Sequence, residues 1–569
     1  MGARSDFGAL RPVVLRTRVM KASALWKMHP GGRGAVRSWE RRYVGAACVG
    51  ALLLFGCGGA RIQSRLPNAS PVTITLDRNA AQQTLSPLLL GEGMEWKDCG
   101  NGIWDCENNT GPRQGISSLL QELNLGILRY PGGTLSDFFH WQGAVGPYAT
   151  RQAQINPFLT SDANHVVTQM PYYGPDEFAT AASALRTEML ITANAGSGTA
   201  EEAAAWLAHY ASARISARYW EIGNEVYIGG EGYGSSTVYK TPEQYAAIFD
   251  AFASALRAVD PNVKVGALGC HDTGAFNLCF EPDWNRRVLT SVHQKIDFLA
   301  IHNSYAPAIA ATQAVDDDTM FRALLASTEY IRSNMQLQAS DVRNYAQAAS
   351  QNLFLAITEH APLFVPGTSS ADDPQLVRDR CLGSALFSAL TLNVFFSEPS
   401  VGMGVHINPN SPVWQAAVQT DLDGFSHPVR SAYFYVVLLY SAAVGGQFVP
   451  VSVQGATKYS STSLGIIPAL SNVPVLDAIG VLQPGSGTTL LYVVNRDLHS
   501  AVTANMDFAG FASGGLVSLK ADTLNGPEYL SCNTAAAPET VSISSVSLPA
   551  QAQIQYTLPP HSLTRFTAK

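Results

Sequence analysis

Several motifs that mark common enzyme classes are missing from this 569-residue sequence. It has no CxxC or HExxH spacing, so a zinc site has little support. It has no GxSxG elbow, which argues against a serine hydrolase. Charged residues make up 14% of the chain and hydrophobic residues 46%, a balance typical of a globular protein with a large core. We expect neither a metal nor another cofactor.

Basic residues are scarce beyond the N-terminal segment. Residues 1–57 carry ten Lys/Arg and two Asp/Glu, so the rest of the chain holds 27 basic and 42 acidic residues, a net charge of −15. This sign argues against nucleic acid or another polyanion as a partner. The length indicates two or three domains. Nothing in the sequence indicates the oligomeric state.

The N-terminal segment, residues 1–57, looks like an extension followed by an export signal. Its apolar run is about thirteen residues long, too short to span a bilayer comfortably. The run follows Arg41 and Arg42 and ends in "LFGC", which resembles a bacterial lipoprotein signal whose cysteine, here Cys57, becomes the lipidated first residue. We expect an exported protein on the periplasmic or cell-surface side, held to the membrane only by this lipid anchor. An uncleaved anchor or an ordinary signal peptide is the alternative.

The remaining cysteines agree with an oxidising compartment. Four of them lie in two sequence-local pairs, which we expect to form disulfides. The last two, Cys381 and Cys532, stand alone in the sequence, and a bridge between them is a guess. The two local pairs are Cys99 with Cys106 and Cys270 with Cys279.

A strand-like pattern recurs eight times along the chain. Runs that are apolar on both faces are typical of buried parallel strands, and segments such as "TAEEAAAWLAHYASA" between them have acidic first turns and helical spacing. Eight such units predict an α/β protein with a (β/α)8 TIM barrel over residues 86–424; a doubly wound open sheet is the alternative. The runs are 88–95, 126–133, 188–196, 218–225, 263–269, 297–305, 353–360 and 401–409.

The pattern changes after about residue 425. Short alternating segments separated by Gly, Pro, Ser and Asn, such as "TTLLYVVNRD" and "TVSISSVSL", predict an all-β sandwich domain over 425–569. Residues 58–85 precede the barrel and contain "PVTITLD" (71–77), which also alternates. We expect this segment to be a linker with one strand that joins the sandwich.

Two carboxylates follow nonadjacent strands of the predicted barrel. The fourth run ends in Gly-Asn-Glu at Glu225, and the seventh ends in "AITEH" with Glu359. Catalytic groups of such barrels lie at the carboxyl ends of the strands, so the two side chains should face each other across the mouth. A pair of this kind suits glycosidic bond cleavage, in which one carboxylic acid protonates the leaving oxygen and the other carboxylate attacks the anomeric carbon.

Other polar and aromatic side chains near strand ends are suited to binding a sugar. An asparagine donor precedes Glu225, and tryptophans can stack on sugar faces. For the two histidines a structural role is an open alternative, and packing is the better interpretation of Trp104. The candidates are Glu95, Asn224, His302, Tyr305, His406 and Trp141.

From about residue 70 onward the chain resembles the α-L-arabinofuranosidases of glycoside hydrolase family fifty-one, a family of retaining (β/α)8 enzymes. The resemblance is carried by "SPLLLGEGMEW", "LRYPGG", "FHWQGAVGPYATR", "ITANAGSGTAEEAAAWLAHY", "EIGNE", "AITEH" and "YTLPPHSLTRF". It implies an exo-acting enzyme that releases terminal α-L-arabinofuranose from plant-type polysaccharides or oligosaccharides. Glu225 would be the acid/base and Glu359 the nucleophile; Asn224 and Glu95 would hold sugar hydroxyls, and Tyr305 would lie near the nucleophile.

Three positions depart from the family pattern. Thr134 follows "PGG" where the family has an asparagine that contacts the furanose, His360 follows the nucleophile in place of Trp or Phe, and the sixth run reads "HNSY" instead of "HYY". The changes touch the part of the site that selects the sugar. A related glycosidase with another specificity, such as a β-glucuronidase of the heparanase-like group, is therefore one alternative, and a non-catalytic glycan-binding lipoprotein is another.

Overall fold

The structure is a computed structural model that describes residues 71–229, 233–271, 279–302, 305–310, 315–365, 367, 373–511 and 515–569. The predicted signal with Cys57 lies outside the described residues. In the described part of the chain, no single helix is long and apolar enough to cross a bilayer. The bent pair Pro374–Arg380 and Leu382–Ser397 passes that test when taken together, but residues 382–396 are buried inside the protein.

Eight parallel strands form a closed barrel and follow one another in chain order, which confirms the predicted fold and excludes the open sheet. Each predicted run contains one of them. The barrel strands are β1 (Gly91–Gly93), β2 (Ile127–Tyr130), β3 (Glu188–Ala193), β4 (Tyr219–Ile222), β5 (Lys264–Gly269), β6 (Phe298–Ile301), β7 (Phe354–His360) and β8 (Val401–His406).

A helix follows every barrel strand, and capping side chains mark the start of some of these helices. Thr199 caps the third helix by accepting from the Glu202 backbone N–H, and Thr241 and Gln244 form a capping box at the fourth. The helices are α1 (Gln114–Gln121), α2 (Pro175–Leu185), α3 (Ala200–Ser212), α4 (Pro242–Val259), α5 (Trp284–Ser291), α6 (Asp317–Tyr345), α7 (Leu382–Ser397) and α8 (Ala432–Ser441). The shorter helices are Asp98–Asn101, Tyr233–Val238 and Pro374–Arg380.

The last barrel helix begins beyond the predicted end of the barrel at residue 424. α8 packs against α7 and belongs to the same hydrophobic core, although it falls in the segment 425–569 that was assigned to the sandwich. An all-apolar helix buried between two domains gives little periodicity from which to place a boundary.

The C-terminal part is a sandwich of two mainly antiparallel sheets around a separate core. Val72–Asp77 crosses over to it and lies in the smaller sheet, antiparallel to Val451–Gln454 and parallel to Val502–Ala509. The fourth strand of that sheet is Gln553–Leu558. The larger sheet runs, in spatial order, Gln447–Val449, Leu476–Gln483, Thr488–Asn495, Ser562–Ala568, Leu519–Asn525 and Ser542–Leu548.

Short ladders outside the barrel and the sandwich order the connecting loops. Those after β2, β6 and β8 lie on the side of the barrel where the strands end. These mouth ladders pair Gln154–Ile155 with Thr168–Gln169, Ala308–Ala310 with Leu363–Val365, Asn410–Ser411 with Val418–Gln419, and Val418–Gln419 with Val429–Arg430. One further ladder, in the C-terminal part, pairs Lys458–Tyr459 with Val473–Pro474.

Candidate active site

Two glutamates face each other at the carboxyl end of the barrel. Oxygens of Glu225 and Glu359 lie within 4.8 Å of each other, and about a fifth of each side chain is exposed, 22% and 21%. Glu225 stands just beyond β4, where Gly223 and Glu225 both have positive φ (80° and 47°). A non-glycine residue in this conformation is uncommon, so the turn after β4 is an unusual backbone geometry that aims Glu225 at the mouth.

A buried arginine on β2 connects the two strand ends. The Arg129 guanidinium donates from Nη1 to Glu359 Oε1 at 2.7 Å and from Nη2 to Asn224 Oδ1 at 2.7 Å. Its Nε donates to Glu221 Oε2, also at 2.7 Å. Three charge-assisted bonds to one planar group fix the orientation of the Glu359 carboxylate and of the Asn224 amide.

A second buried cation lies beside the other glutamate. His302, at the end of β6, contacts Glu225 Oε1 through Nδ1 at 3.2 Å and Thr358 Oγ1 through Nε2 at 2.7 Å. Burial opposes the charged ring, but the carboxylates of Glu359, Glu221 and Glu225 outweigh it and raise the pKa of His302 to about 10. At neutral pH the ring is therefore an imidazolium, which donates from both nitrogens.

The segment after β2 supports both glutamates from one side. Gly133 packs directly on Glu359, since a Cβ on this glycine would lie 2.5 Å from Glu359 Oε1. Four residues later, the buried Asp137 carboxyl group accepts from the backbone N–H of Asn224 at 3.2 Å and of Gly196 at 3.1 Å. Asp137 thereby ties the ends of β3 and β4 together and holds the Asn224–Glu225 turn in place.

The structure places four further candidates at this mouth. Asn224 is buried beside Glu359, and while its Oδ1 accepts from Arg129, its Nδ2 has no hydrogen-bond partner among the residues that the structure describes. Glu95 lies next to Gly132, with an ion pair to Lys97 at 2.7 Å. Thr134 directly follows Gly133, and its methyl group packs near Gly234. His302, as described above, contacts Glu225.

Three predicted binding residues lie elsewhere. Tyr305 is fully buried and donates to Asn334 Oδ1 of α6 at 3.0 Å, so it packs between the barrel and its helices instead of beside the nucleophile. His406, the last residue of β8, is likewise buried between the barrel and the helices, where it pairs with Glu92 at 3.3 Å and stacks on Tyr433 of α8. The expectation that these two side chains line the mouth is wrong.

The third predicted binding residue that lies elsewhere, Trp141, packs against α3. Its indole N–H donates to the Glu202 backbone carbonyl at 2.9 Å, and its ring stacks on Trp206 of α3. Only 7% of the residue is exposed, so no open ring face remains for a sugar. Trp104 is also buried and donates to Asn109 and Tyr148, which agrees with the packing interpretation.

Both local cysteine pairs form disulfides near the mouth. Cys99–Cys106 closes a loop after β1, and Cys270–Cys279 closes one after β5. Cys381 and Cys532 are unbridged, so the structure does not contain the third bond that was considered. The two segments nevertheless run side by side, because the Leu382 N–H donates to the Ser531 carbonyl at 2.9 Å.

The same side chains that define the site have the spacing of a metal centre. Ligand atoms of Glu225, His302 and Glu359 all lie within 4.8 Å of one another. Two features oppose a metal there: Arg129 already places a positive charge on Glu359, and a protonated His302 has no lone pair to offer. The arrangement fits acid/base and nucleophilic chemistry better than metal binding.

Sequence reasoning missed four residues that organise the site: Arg129, Glu221, Asp137 and Thr358. The signal for the first two is present, because each is a charged residue in the middle of an otherwise apolar strand. Because both faces of a barrel strand are buried, a charged side chain on it requires a partner of opposite sign. Asp137 and Thr358 carry no comparable signal, since short polar residues at strand ends are common.

A closed (β/α)8 barrel with facing carboxylates after β4 and in β7 defines a glycoside hydrolase. Residues 367–562 match the model of the α-L-arabinofuranosidase C-terminal domain. A probable α-L-arabinofuranosidase C of Aspergillus clavatus is 26% identical over 497 residues, covering 81% of this chain and 90% of the relative. Over its C-terminal domain and over most of its length, the chain is thus similar to α-L-arabinofuranosidases.

Further relatives agree with this assignment. The intracellular exo-α-(1→5)-L-arabinofuranosidase of Bifidobacterium longum is 23% identical over 483 residues, covering 77% of this chain and 81% of the relative. The family 51 arabinofuranosidase from Xanthomonas axonopodis pv. citri has a similar fold, with a TM-score of 0.73 at 20% identity over 88% of this chain and 100% of that one. The Thermotoga maritima α-L-arabinofuranosidase, solved with arabinose, gives 0.71 at 20% identity over 87% and 99%.

Proposed function

We propose that this chain is a retaining, exo-acting α-L-arabinofuranosidase that releases terminal arabinofuranose from plant-type glycans. The observation that carries the proposal is the distance between the Glu225 and Glu359 oxygens, within 4.8 Å. Carboxyl groups about 5 Å apart suit a double displacement, whereas inverting enzymes need roughly 6.5–9.5 Å to admit a water. The choice of sugar is supported by the names of the Aspergillus and Bifidobacterium relatives.

The reaction proceeds in two steps. First, Glu359 attacks the anomeric carbon while Glu225 gives its proton to the glycosidic oxygen, so the C–O bond breaks and a covalent glycosyl–enzyme forms. Next, Glu225 takes a proton from a water molecule, whose oxygen attacks the same carbon and releases Glu359. Two inversions give net retention. The bond from Arg129 to Glu359 Oε1 fixes the attacking group before the sugar arrives.

Two mouth residues have free capacity for sugar hydroxyls. Within the described part of the chain, Asn224 Nδ2 is a buried donor without a partner, a costly state that a bound hydroxyl would relieve. Its amide cannot rotate freely, because Oδ1 accepts from Arg129. Glu95 is a partly exposed acceptor at the rim, beside Gly132. The Glu95 carboxylate can accept and the Asn224 amide can donate, and this combination beside the two catalytic glutamates suits recognition of vicinal hydroxyls.

The stereochemistry of the first-formed product tests the mechanism. Proton NMR during hydrolysis of 4-nitrophenyl α-L-arabinofuranoside should show the α-anomer first; the β-anomer would reject the assignment. Glu359→Ala should abolish turnover, and Glu225→Ala should spare aryl glycosides with good leaving groups more than alkyl ones, because only the latter need the proton. Glu528→Ala, an exposed glutamate of the sandwich, is the matched control and should retain wild-type rates.

A specific observation favours a second candidate, a related glycosidase with another sugar specificity. Thr134 occupies the mouth position where the resemblance implies an asparagine donor, and its side chain is shorter with one hydroxyl. If arabinofuranose is the substrate, Thr134→Asn should raise kcat/KM by the worth of one hydrogen bond, roughly 1–3 kcal/mol. Turnover of 4-nitrophenyl β-glucuronide with none of the arabinofuranoside, by wild type and variant alike, would establish the second candidate instead.

We further propose that the protein is exported and anchored by lipid at Cys57, on the strength of the "LFGC" sequence. The wild-type protein should fractionate with membranes and carry acyl mass on its N-terminal peptide. Cys57→Ser should be released or keep its signal uncleaved. A wild-type protein that is free of acyl mass after cell disruption would contradict the anchor without affecting the proposed chemistry.

A further inference from the structure

A third glutamate, Glu221, lies below the catalytic pair inside the barrel. It is the third residue of β4, fully buried, and cannot touch a substrate at the mouth. Its carboxylate nevertheless has three strong partners on three different strands. Arg129 Nε donates to Oε2 at 2.7 Å, Thr192 Oγ1 to Oε2 at 2.8 Å, and Thr358 Oγ1 to Oε1 at 2.6 Å.

Each catalytic glutamate is linked to Glu221 through one cation. On one side, Arg129 contacts Glu221 and Glu359 with different nitrogens. On the other side, the His302 ring contacts Glu225 through Nδ1, while its Nε2 donates to the Thr358 hydroxyl, which in turn donates to Glu221. His302 Nε2 also lies 3.5 Å from Glu221 Oε1. The carboxylate is thus the shared anion of two cations that each touch a different catalytic group.

We propose that Glu221 is a positioning residue for the reaction: it holds Arg129 and protonated His302 side by side in the barrel, so that each orients one catalytic carboxylate. The proposal rests on the roles given above to Glu225 and Glu359. Without the anion, two adjacent buried cations would repel each other, and the histidine, unlike the arginine, can respond by losing its proton.

The charges around Glu221 are consistent with this role. Burial would raise the pKa of Glu221, but Arg129 and His302 lower it to about 2, so the group stays ionised. The other titratable groups in its field are two buried tyrosines and a buried aspartate, Tyr227, Tyr245 and Asp137. The pKa of each is raised by burial, which favours the neutral forms. Below the catalytic pair, Glu221 is therefore the permanent negative charge opposite the two cations.

The charge on His302 depends on pH and on the carboxylate of Glu221. The pKa of His302 is raised to about 10, so the contribution of its charged form is complete at acidic and neutral pH and is lost as the pH rises through about 10. Glu221→Gln keeps the size and an acceptor oxygen but removes the charge. Loss of a nearby opposite charge moves a pKa by about 1–3 units, so the His302 pKa should fall by at least about one unit.

Two measurements on the full chain test this inference. At the pH optimum, Glu221→Gln should lower kcat for 4-nitrophenyl α-L-arabinofuranoside more than it changes KM, because Arg129 and His302 are no longer held against the catalytic carboxylates. Histidine NMR titration, with the His302 signal assigned by its loss in His302→Asn, should show that the His302 pKa falls by about one unit or more in Glu221→Gln. The titration needs no substrate, so it decides the inference even if the enzyme proves inactive on arabinofuranosides.

Matched variants separate positioning from general destabilisation. Asp522→Asn makes the same chemical change at another buried carboxylate, which pairs with Arg565 at 2.7 Å in the sandwich, and should leave kcat and the His302 titration unchanged. Glu221→Asp keeps the charge but shortens its reach, so it should lower kcat while preserving the raised His302 pKa. If Glu221→Gln does not fold, the His302 titration in Glu221→Asp still decides. An unshifted His302 titration in the Gln variant, or a shifted one in the Asp variant, would overturn the proposal.

Discussion

Replacement of Gly133 by alanine should impair catalysis by displacing the proposed nucleophile. The new Cβ would lie 2.5 Å from Glu359 Oε1 and 3.7 Å from Asn224 Oδ1. Carbon–oxygen contacts below 3.0 Å are essentially never seen for real Cβ atoms, so the two atoms must separate by at least about 0.5 Å. The same Oε1 accepts from Arg129, so the carboxylate cannot move without weakening that bond.

The size of the effect follows from the displacement. A misplacement of about 1 Å at a reacting group costs roughly a hundredfold in rate, so a shift of about half that size should cost roughly tenfold or more. Tenfold corresponds to about 1.4 kcal/mol in the activation free energy. The loss should appear in kcat rather than in KM, because the nucleophile acts on the anomeric carbon and binds the sugar hydroxyls little.

Steady-state kinetics on 4-nitrophenyl α-L-arabinofuranoside, with the urea unfolding midpoint measured in parallel, check this prediction. Gly485→Ala is the matched control, because a Cβ there meets nothing within 4 Å. The control should match wild type in both measurements. A Gly133→Ala enzyme with wild-type kcat and unchanged stability would refute the close packing of Gly133 on Glu359.

Three further predictions concern stability and are checked by urea unfolding. Burial raises the pKa of Asp137 to about 8, above its unfolded value near 3.9, so the stability linked to its protonation is complete below about pH 4 and is lost as the pH rises through about 8. The free energy of unfolding of Asp137→Asn should therefore rise relative to that of wild type between about pH 4 and pH 8, and a pH-independent difference would contradict this. Arg129→Met removes the arginine from the buried Glu221 and should lower the free energy of unfolding by about 3–5 kcal/mol; a loss below about 1 kcal/mol would argue against the ion pair. Replacing Cys270 and Cys279 by serine removes the cross-link and should lower that free energy by about 2–3 kcal/mol by the chain-entropy model, whereas an unchanged midpoint would contradict a stabilising role of this disulfide.

Much of the fold could be predicted because burial on both faces leaves a clear trace in the sequence. A parallel barrel strand has no solvent side, so each of the eight strands appears as an apolar run. Most helices between them are amphipathic, and some begin at capping residues such as Thr199. α7 and α8 are buried on nearly all sides, and the place of α8 at the junction of barrel and sandwich depends on tertiary contacts that no local pattern reveals.

Part of the site could be predicted for a geometric reason, and the errors have a geometric reason too. Carboxyl ends of parallel strands meet at one rim, which places Glu225 and Glu359 together. Which side of the wall a residue faces depends on strand parity, however, and one position changes the side. The pairing of β7 with β8 shifts register between Ile357 and His360, and both Thr358 and Glu359 reach the interior, so alternation alone does not predict this strand end. His360 packs against Phe395 of α7, and its register partner His406 stacks on Tyr433 of α8, so both face the helices.

Below the mouth, the positions of the site residues are determined by the pairing of buried charges and not by where the strands end. β2 and β4 each carry one charged residue, Arg129 and Glu221, and both side chains are buried inside the barrel. Neither can be buried alone, so the two side chains must meet inside the barrel, and the hydroxyls of Thr192 and Thr358 complete the coordination of the carboxylate. Because this network is anchored on strands and not on loops, the barrel interior itself holds Arg129 and His302 against the catalytic pair. The loops at the mouth are then free to differ, as Thr134 does, and to select the sugar without disturbing the chemistry.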